Sequence, residues 1–196
     1  MEKILNKIMV FLLKEEELDS EQAEIVRYGL EILLLKSIFF LATLALGLLI
    51  GCFWACFLFM AFFVPLRSFA GGYHADTRKQ CLIQSMLTTL LVLSIIKWSA
   101  NHPMVLYPLL LLVLLSAGCI WMLAPIDTEN KRLDASEQQL FKKRTRCMLL
   151  IECGFVLILY VLALHTGTCA AMLSISTTGI LLSAERLKQM RKKHAA

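Results

Sequence analysis

Ile32-Leu-Leu-Leu-Lys-Ser-Ile-Phe-Phe-Leu-Ala-Thr-Leu-Ala-Leu-Gly-Leu-Leu-Ile-Gly-Cys-Phe-Trp-Ala-Cys-Phe-Leu-Phe-Met-Ala-Phe-Phe-Val64 is an apolar run whose only charge is Lys36. As one helix it would measure about 50 Å, at roughly 1.5 Å per residue, against a hydrocarbon core of about 30 Å. The run therefore predicts two spans with a turn around Gly47 to Gly51. The Gly-x-x-x-Gly spacing there is, alternatively, a close-packing face within a helix. Pro65 is expected to end the second span.

The whole chain agrees with that reading. Its 196 residues are 58% apolar, with a mean hydropathy of +0.69, and the charged residues gather in a few stretches. The expected fold is an all-α, polytopic membrane helical bundle forming one domain over residues 1–196. Further spans are expected from about Cys81 to Trp98 and from about Met104 to Leu123, with Asn101-His-Pro103 as the turn. Two more lie near Cys147 to Leu164 and Thr168 to Ala184, hinged at His165-Thr-Gly167, for about six membrane segments in all. Upstream, Ile4, Leu5, Ile8, Met9, Phe11 and Leu12 share a helical stripe with lysines between them, so residues 1–18 read as an amphipathic helix in the headgroup region. A signal peptide is the competing reading, but Lys7 breaks the apolar core and acids follow it. Asp19, with Gln22 three residues on, reads as the cap of the first long helix.

Three polar stretches interrupt the apolar pattern: residues 65–81, a basic loop over 124–146 and a basic tail over 185–196. Lysine and arginine concentrate in these stretches and ahead of the first span, and only Lys36 and Lys97 fall elsewhere. By the positive-inside rule both termini and both loops are expected in the cytoplasm of a multi-pass cell-membrane protein. No nucleic-acid partner is expected.

The stretch Pro65-Leu-Arg-Ser-Phe-Ala-Gly-Gly-Tyr-His-Ala-Asp-Thr-Arg-Lys-Gln-Cys81 carries the candidate chemistry. On one straight helix His74 and Cys81 would stand about 10 Å apart along the axis, out of hydrogen-bonding reach. They meet only if the Gly71-Gly72 pair folds the segment back. Thr77-Arg-Lys-Gln80 reads as a capping box, which makes Cys81 the fourth residue of a new helix. A helix N-terminus and the neighbouring Arg78 and Lys79 favour the thiolate, which is the nucleophilic form. His74 is then the base that takes the thiol proton and returns it to a leaving amine. The bland alternative is a coincidental pair, since a single Cys near a single His is common.

The remaining candidates read as structural. Cys52, Cys56, Cys119, Cys147, Cys153 and Cys169 lie in apolar stretches, where a free thiol behaves as a small hydrophobe. No CxxC pair and no His/Cys spacing completes a zinc shell, so neither metal nor cofactor is expected. His102 and His165 suit solvated turns. Lys36 suits an ion pair with Glu31 or snorkelling before a substrate contact, and Glu152, read as close to the interface, suits a structural role. The competing functional classes are a small transporter or channel, in which the Gly-Gly segment is a broken helix, and a membrane scaffold with inert thiols.

Three groups of residues together resemble the accessory gene regulator B family. They are Glu24-x-x-x-Tyr28-Gly-Leu-Glu31, then Arg67-x-x-x-Gly71-Gly-x-His74 followed by Cys81, and Ala124-Pro-Ile-Asp-Thr-Glu-Asn-Lys131. The resemblance covers nearly the whole chain and rests most on the Arg, Gly-Gly, His and Cys pattern. It implies a membrane cysteine endopeptidase of quorum sensing with His74 and Cys81 as its catalytic pair. Such an enzyme cuts a short propeptide at the inner leaflet through a thioester and promotes cyclisation to a thiolactone or lactone signal. Arg67, Gly71, Gly72, Thr77, Lys36 and Lys131 are the candidate substrate-binding or supporting residues. The implied partners are the bilayer and an amphipathic propeptide with an acidic C-terminal part, and a homodimer is admitted.

Overall fold

The computed structural model describes residues 20–71, 78–126 and 134–195. Among them are six long helices and no strand: α1 (Ser20–Ile50), α2 (Phe53–Ala70), α3 (Arg78–Ser99), α4 (Leu106–Leu123), α5 (Ala135–Val161) and α6 (His165–Ala195), with a 3-10 turn at Pro103–Val105. Five of these, all but α5, are long and apolar enough to cross a membrane. α5 occupies the place of the expected fifth span, but its apolar stretch runs only from Cys147, after Arg144 and Arg146, to Val161 and carries Glu152. The protein is a helical membrane bundle.

The chain divides into two compact units, Met1–Ala45 and Leu46–Ala196. The first is described through α1, from Ser20 onward. Asp19 itself and the expected interfacial helix over 1–18 lie outside the described residues.

In the second unit α1 ends in a reverse turn. Gly51 takes φ +78°, its N–H donates to the Leu48 carbonyl (3.1 Å), and the Cys52 N–H donates to the Gly47 carbonyl (2.9 Å). This pair of bonds is the Schellman arrangement, which needs a residue that accepts positive φ. Gly47 serves the other reading of the same motif, because a Cβ placed there would come 2.6 Å from the Cβ of Cys56. The glycine pair thus supplies both the turn and the close helix contact. The turn between α5 and α6 repeats the bond pattern, with the Leu164 N–H on the Leu159 carbonyl (3.0 Å), the Ala163 N–H on the Tyr160 carbonyl (3.0 Å) and Ala163 at φ +55°. It therefore falls at residues 162–164, ahead of the expected hinge at His165-Thr-Gly167.

α6 is the centre of this unit and packs on α4, α2, α5 and α3. Every residue from Thr168 to Gly179 is buried, so this helix is enclosed on all sides. Small side chains permit that. A Cβ on Gly179 would stand 2.8 Å from the Ser116 Cα, and the Ser116 hydroxyl donates to the Ser176 carbonyl (3.4 Å), so α4 and α6 approach backbone to backbone. In lipid such approach replaces the hydrophobic drive that water would supply.

Three expectations need correction. Pro65 does not end the second span: α2 continues through it to Ala70, with Leu66 and Ala70 both 0% exposed. Packing on the bundle outweighs the missing amide hydrogen bond. The stretch over 124–146 is not loop throughout, because α5 starts at Ala135 behind a capping box in which the Asp134 N–H donates to Glu137 Oε2 (3.2 Å). The basic tail over 185–196 continues α6 as helix to Ala195.

Candidate functional site

α2 stops at Gly71, whose N–H still donates to the Arg67 carbonyl (3.0 Å) while φ turns to +78° and ψ to −153°. The chain thereby leaves the helix in a direction that a side chain would oppose. Across the gap, the Ile126 N–H donates to the Ala70 carbonyl (3.2 Å), and a Cβ on Gly71 would come 2.7 Å from the Ile126 carbonyl oxygen. Ala70, Ala124 and Ile126 are all buried. The start of the Gly-Gly segment and the start of the second polar segment are therefore joined backbone to backbone. Two sequence motifs far apart in the chain become neighbours through that contact.

α3 begins at Arg78, so Cys81 is the fourth residue of the helix and stands in its first turn. Gly72, His74, Thr77 and Lys131 lie outside the described residues, as does the side chain of Cys81. Lys36 lies on α1, in the N-terminal unit.

Arginines and aromatic rings surround this end of the bundle. The Arg67 guanidinium lies 5.9 Å from the Phe63 ring centre, Arg144 lies 5.6 Å from Phe69, and Arg146 lies 4.5 Å from Trp121. Arg146 also donates to the Trp121 carbonyl (3.4 Å), at the end of α4. Such stacking holds a cation through the ring quadrupole and is worth roughly 0.5 to 2 kcal/mol, more as water is excluded. A pocket between the end of α4 and the first turns of α5 is lined by Ala124, Pro125, Gln138, Gln139 and Lys142.

Burial pushes the Cys52 thiol up, against a smaller opposite pull from the Lys97 ammonium. Lys97 itself lies over the α1–α2 turn, 3.4 Å from where a Gly51 Cβ would stand, which gives a reason for a lysine away from the basic stretches. His102 packs on Trp98 (ring centres 5.0 Å apart), and its Nδ1 is 3.2 Å from the Trp98 carbonyl, as suits a turn histidine.

Two features were not foreseen from the residues. The bond from Ile126 to Ala70 is made by backbone atoms of distant segments and leaves no side-chain signal. Glu152 was expected close to the interface, yet it is 0% exposed and accepts a hydrogen bond from Ser174 of α6 (3.1 Å). Its position in the apolar part of α5 was the signal available.

No solved structure matches the chain. Among curated proteins it is 26% identical, over 89% of its length and 82% of theirs, to an AgrB-like protein of Halalkalibacterium halodurans. It is 23% identical, over 85% of its length and 80% of the relative's, to an AgrB-like protein of Clostridium perfringens. FsrB of Enterococcus faecalis is 28% identical over 71% of this chain and 58% of its own. The family model for accessory gene regulator B matches residues 5–184, and with nearly the whole sequence covered the chain belongs to the accessory gene regulator B family.

Proposed function

We propose that the protein is a membrane cysteine endopeptidase that cleaves a short signal propeptide and promotes its cyclisation, with Cys81 as nucleophile and His74 as general base and acid. Family membership supports the broader role, an accessory protein of quorum sensing working from the membrane. The observation that carries the finer reading is the start of α3 at Arg78, which sets Cys81 in the first turn of a helix, where the dipole favours a thiolate. His74 takes the thiol proton, and the Cys81 sulfur adds to the scissile carbonyl. The collapse of the tetrahedral intermediate breaks the peptide bond, with the proton passing from His74 to the leaving amine. The acyl group is then held as a thioester. Attack by an internal Cys or Ser of the substrate closes a thiolactone or lactone and releases the Cys81 thiol. The Gly71 turn, held against Ile126, gives the His74 segment a fixed departure point. Arg67, Gly72, Thr77, Lys36 and Lys131 are supporting or substrate-binding residues in this reading, and the exposed lysines of α5 attract the acidic part of the propeptide.

The test is cleavage of a propeptide by purified protein in liposomes. Cys81→Ala and His74→Ala each abolish cleavage while insertion stays normal, whereas alanine at Cys119 or Cys147 leaves the rate nearly unchanged. Cleavage that survives Cys81→Ala refutes the assignment.

A further inference from the structure

The interior of the bundle contains a carboxyl group that the proposed chemistry does not use. On α5 the residues Thr145, Leu149, Glu152 and Val156 form the buried stripe. Glu152 is 0% exposed; its Oε2 accepts from the Ser174 hydroxyl at 3.1 Å, and its Oε1 is buried with no hydrogen-bond partner among the described residues. Ser174 stands on the fully enclosed part of α6. Thr178, one turn further along the same face, is also 0% exposed, and its hydroxyl too has no partner among the described residues.

Depth sharpens the point. Glu152 and Ser174 are each nine residues from the helix ends, Val161 and His165, that flank the connecting turn. At about 1.5 Å per residue both lie roughly 14 Å from it along the helix axes, which on α6, a helix long and apolar enough to cross a membrane, is about half of a hydrocarbon layer about 30 Å thick. A carboxylate left charged in such surroundings is strongly disfavoured unless something neutralises it.

Among the described residues Glu152 has no polar partner besides Ser174, and the titratable and charged groups of its own and the surrounding helices are as follows. α5 offers the Cys153 thiol next in the chain, α6 Cys169 and the distant Glu185, and α4 Cys119. α2 offers Cys56 and, at its far end, Arg67, whose guanidinium lies over Phe63. We propose that Glu152, Ser174 and Thr178 form a binding site within the bundle for a small monovalent cation, a proton or a sodium ion. Its occupant neutralises the carboxylate and keeps α5 seated on α6. The site is independent of the chemistry at Cys81.

The probe is dicyclohexylcarbodiimide, which partitions into apolar surroundings and adds to a carboxylic acid. The acid proton moves to a carbodiimide nitrogen and the carboxyl oxygen bonds to the central carbon, so the adduct retains every atom of the reagent. Full-length protein in phosphatidylglycerol liposomes is labelled from acid to alkaline pH, in sodium chloride or in choline chloride of equal strength. The Glu152 peptide is then quantified by mass spectrometry. The expected result is severalfold more adduct at Glu152 than at Glu185, falling as pH rises, and none at this position in Glu152→Gln. Protection by sodium but not choline assigns the site to sodium, and equal labelling in both salts assigns it to the proton. Ser174→Ala or Thr178→Ala shifts the pH or sodium midpoint. A Glu152 that stays unlabelled at every pH, or is labelled without regard to pH and sodium, overturns the proposal. The wild-type measurement decides this even where a variant fails to fold.

Discussion

Gly71 and Ala163 are, with Gly51, residues whose backbone angles set the direction of the chain where it leaves a helix. At Gly71 a side chain meets two obstacles, φ +78° and a backbone oxygen of Ile126 at 2.7 Å that cannot rotate away. Positive φ with ψ −153° is a region open essentially to glycine and costs an ordinary residue roughly 1–3 kcal/mol. Gly71→Ala is therefore expected to slow propeptide cleavage by about tenfold or more, with insertion retained, since each 1.4 kcal/mol is worth about a factor of ten. A rate near that of the unaltered protein would show that the departure angle of the His74 segment does not matter. Ala163 is the opposite case, a non-glycine residue at φ +55° in a turn that glycine suits better. Ala163→Gly should stabilise the protein by about 1 kcal/mol, less the entropy glycine adds to the unfolded chain, and raise the thermal midpoint in detergent. A lowered midpoint would show that the turn gains more from the methyl group than it loses to strain.

α5 joins two roles in one helix. Its first turn is fixed by Asp134, whose carboxylate accepts from the Ala135 N–H (2.7 Å) and the Ser136 hydroxyl (3.2 Å). Its basic residues then diverge in function. Arg144 and Arg146 stack on Phe69 of α2 and Trp121 of α4, so they also hold the helices together. Lys142 and Lys143 are exposed and carry charge without such stacking. Charge reversal at the two arginines would mix a packing defect with an electrostatic one, whereas Lys142→Glu with Lys143→Glu isolates the second. The paired lysine change is expected to raise KM for an acidic propeptide severalfold with little change in kcat, and added salt should weaken the unaltered enzyme in the same direction. An unchanged KM in correctly oriented protein would leave the lysines only the task of setting orientation.

At the scale of the molecule, the charge pattern makes one prediction about orientation, with α5 taken as a sixth crossing beside the five helices that are long and apolar enough to span. With both termini cytoplasmic, single reporter cysteines at Gln80 and Glu137 resist an impermeant thiol reagent applied to intact cells, while reporters at Asn101 and Leu164 react. Leu164 is 52% exposed in the turn between α5 and α6, which makes it a better reporter than the partly buried Thr166. The reverse labelling pattern would invert the arrangement and put Cys81 on the outer face.

The sequence by itself determined the class of protein, the turn at Gly51 and the approximate extents of α3 and α4. These properties are local: a span is a run of apolar residues, and the turn at Gly51 needs a glycine where it stands. Only the tertiary structure decided what passes through the bundle. Pro65 looked like a stop because its missing amide is a local fact, yet α2 continues since Leu66 and Ala70 are held by other helices. The hydroxyl-rich segment from Thr168 to Gly179 looked like one span among several, yet it is the enclosed one, because small side chains let neighbouring backbones approach. Glu152 against Ser174, and Ile126 against Ala70, pair atoms of distant segments, and the spacing of residues along a chain carries no record of which helix faces will meet.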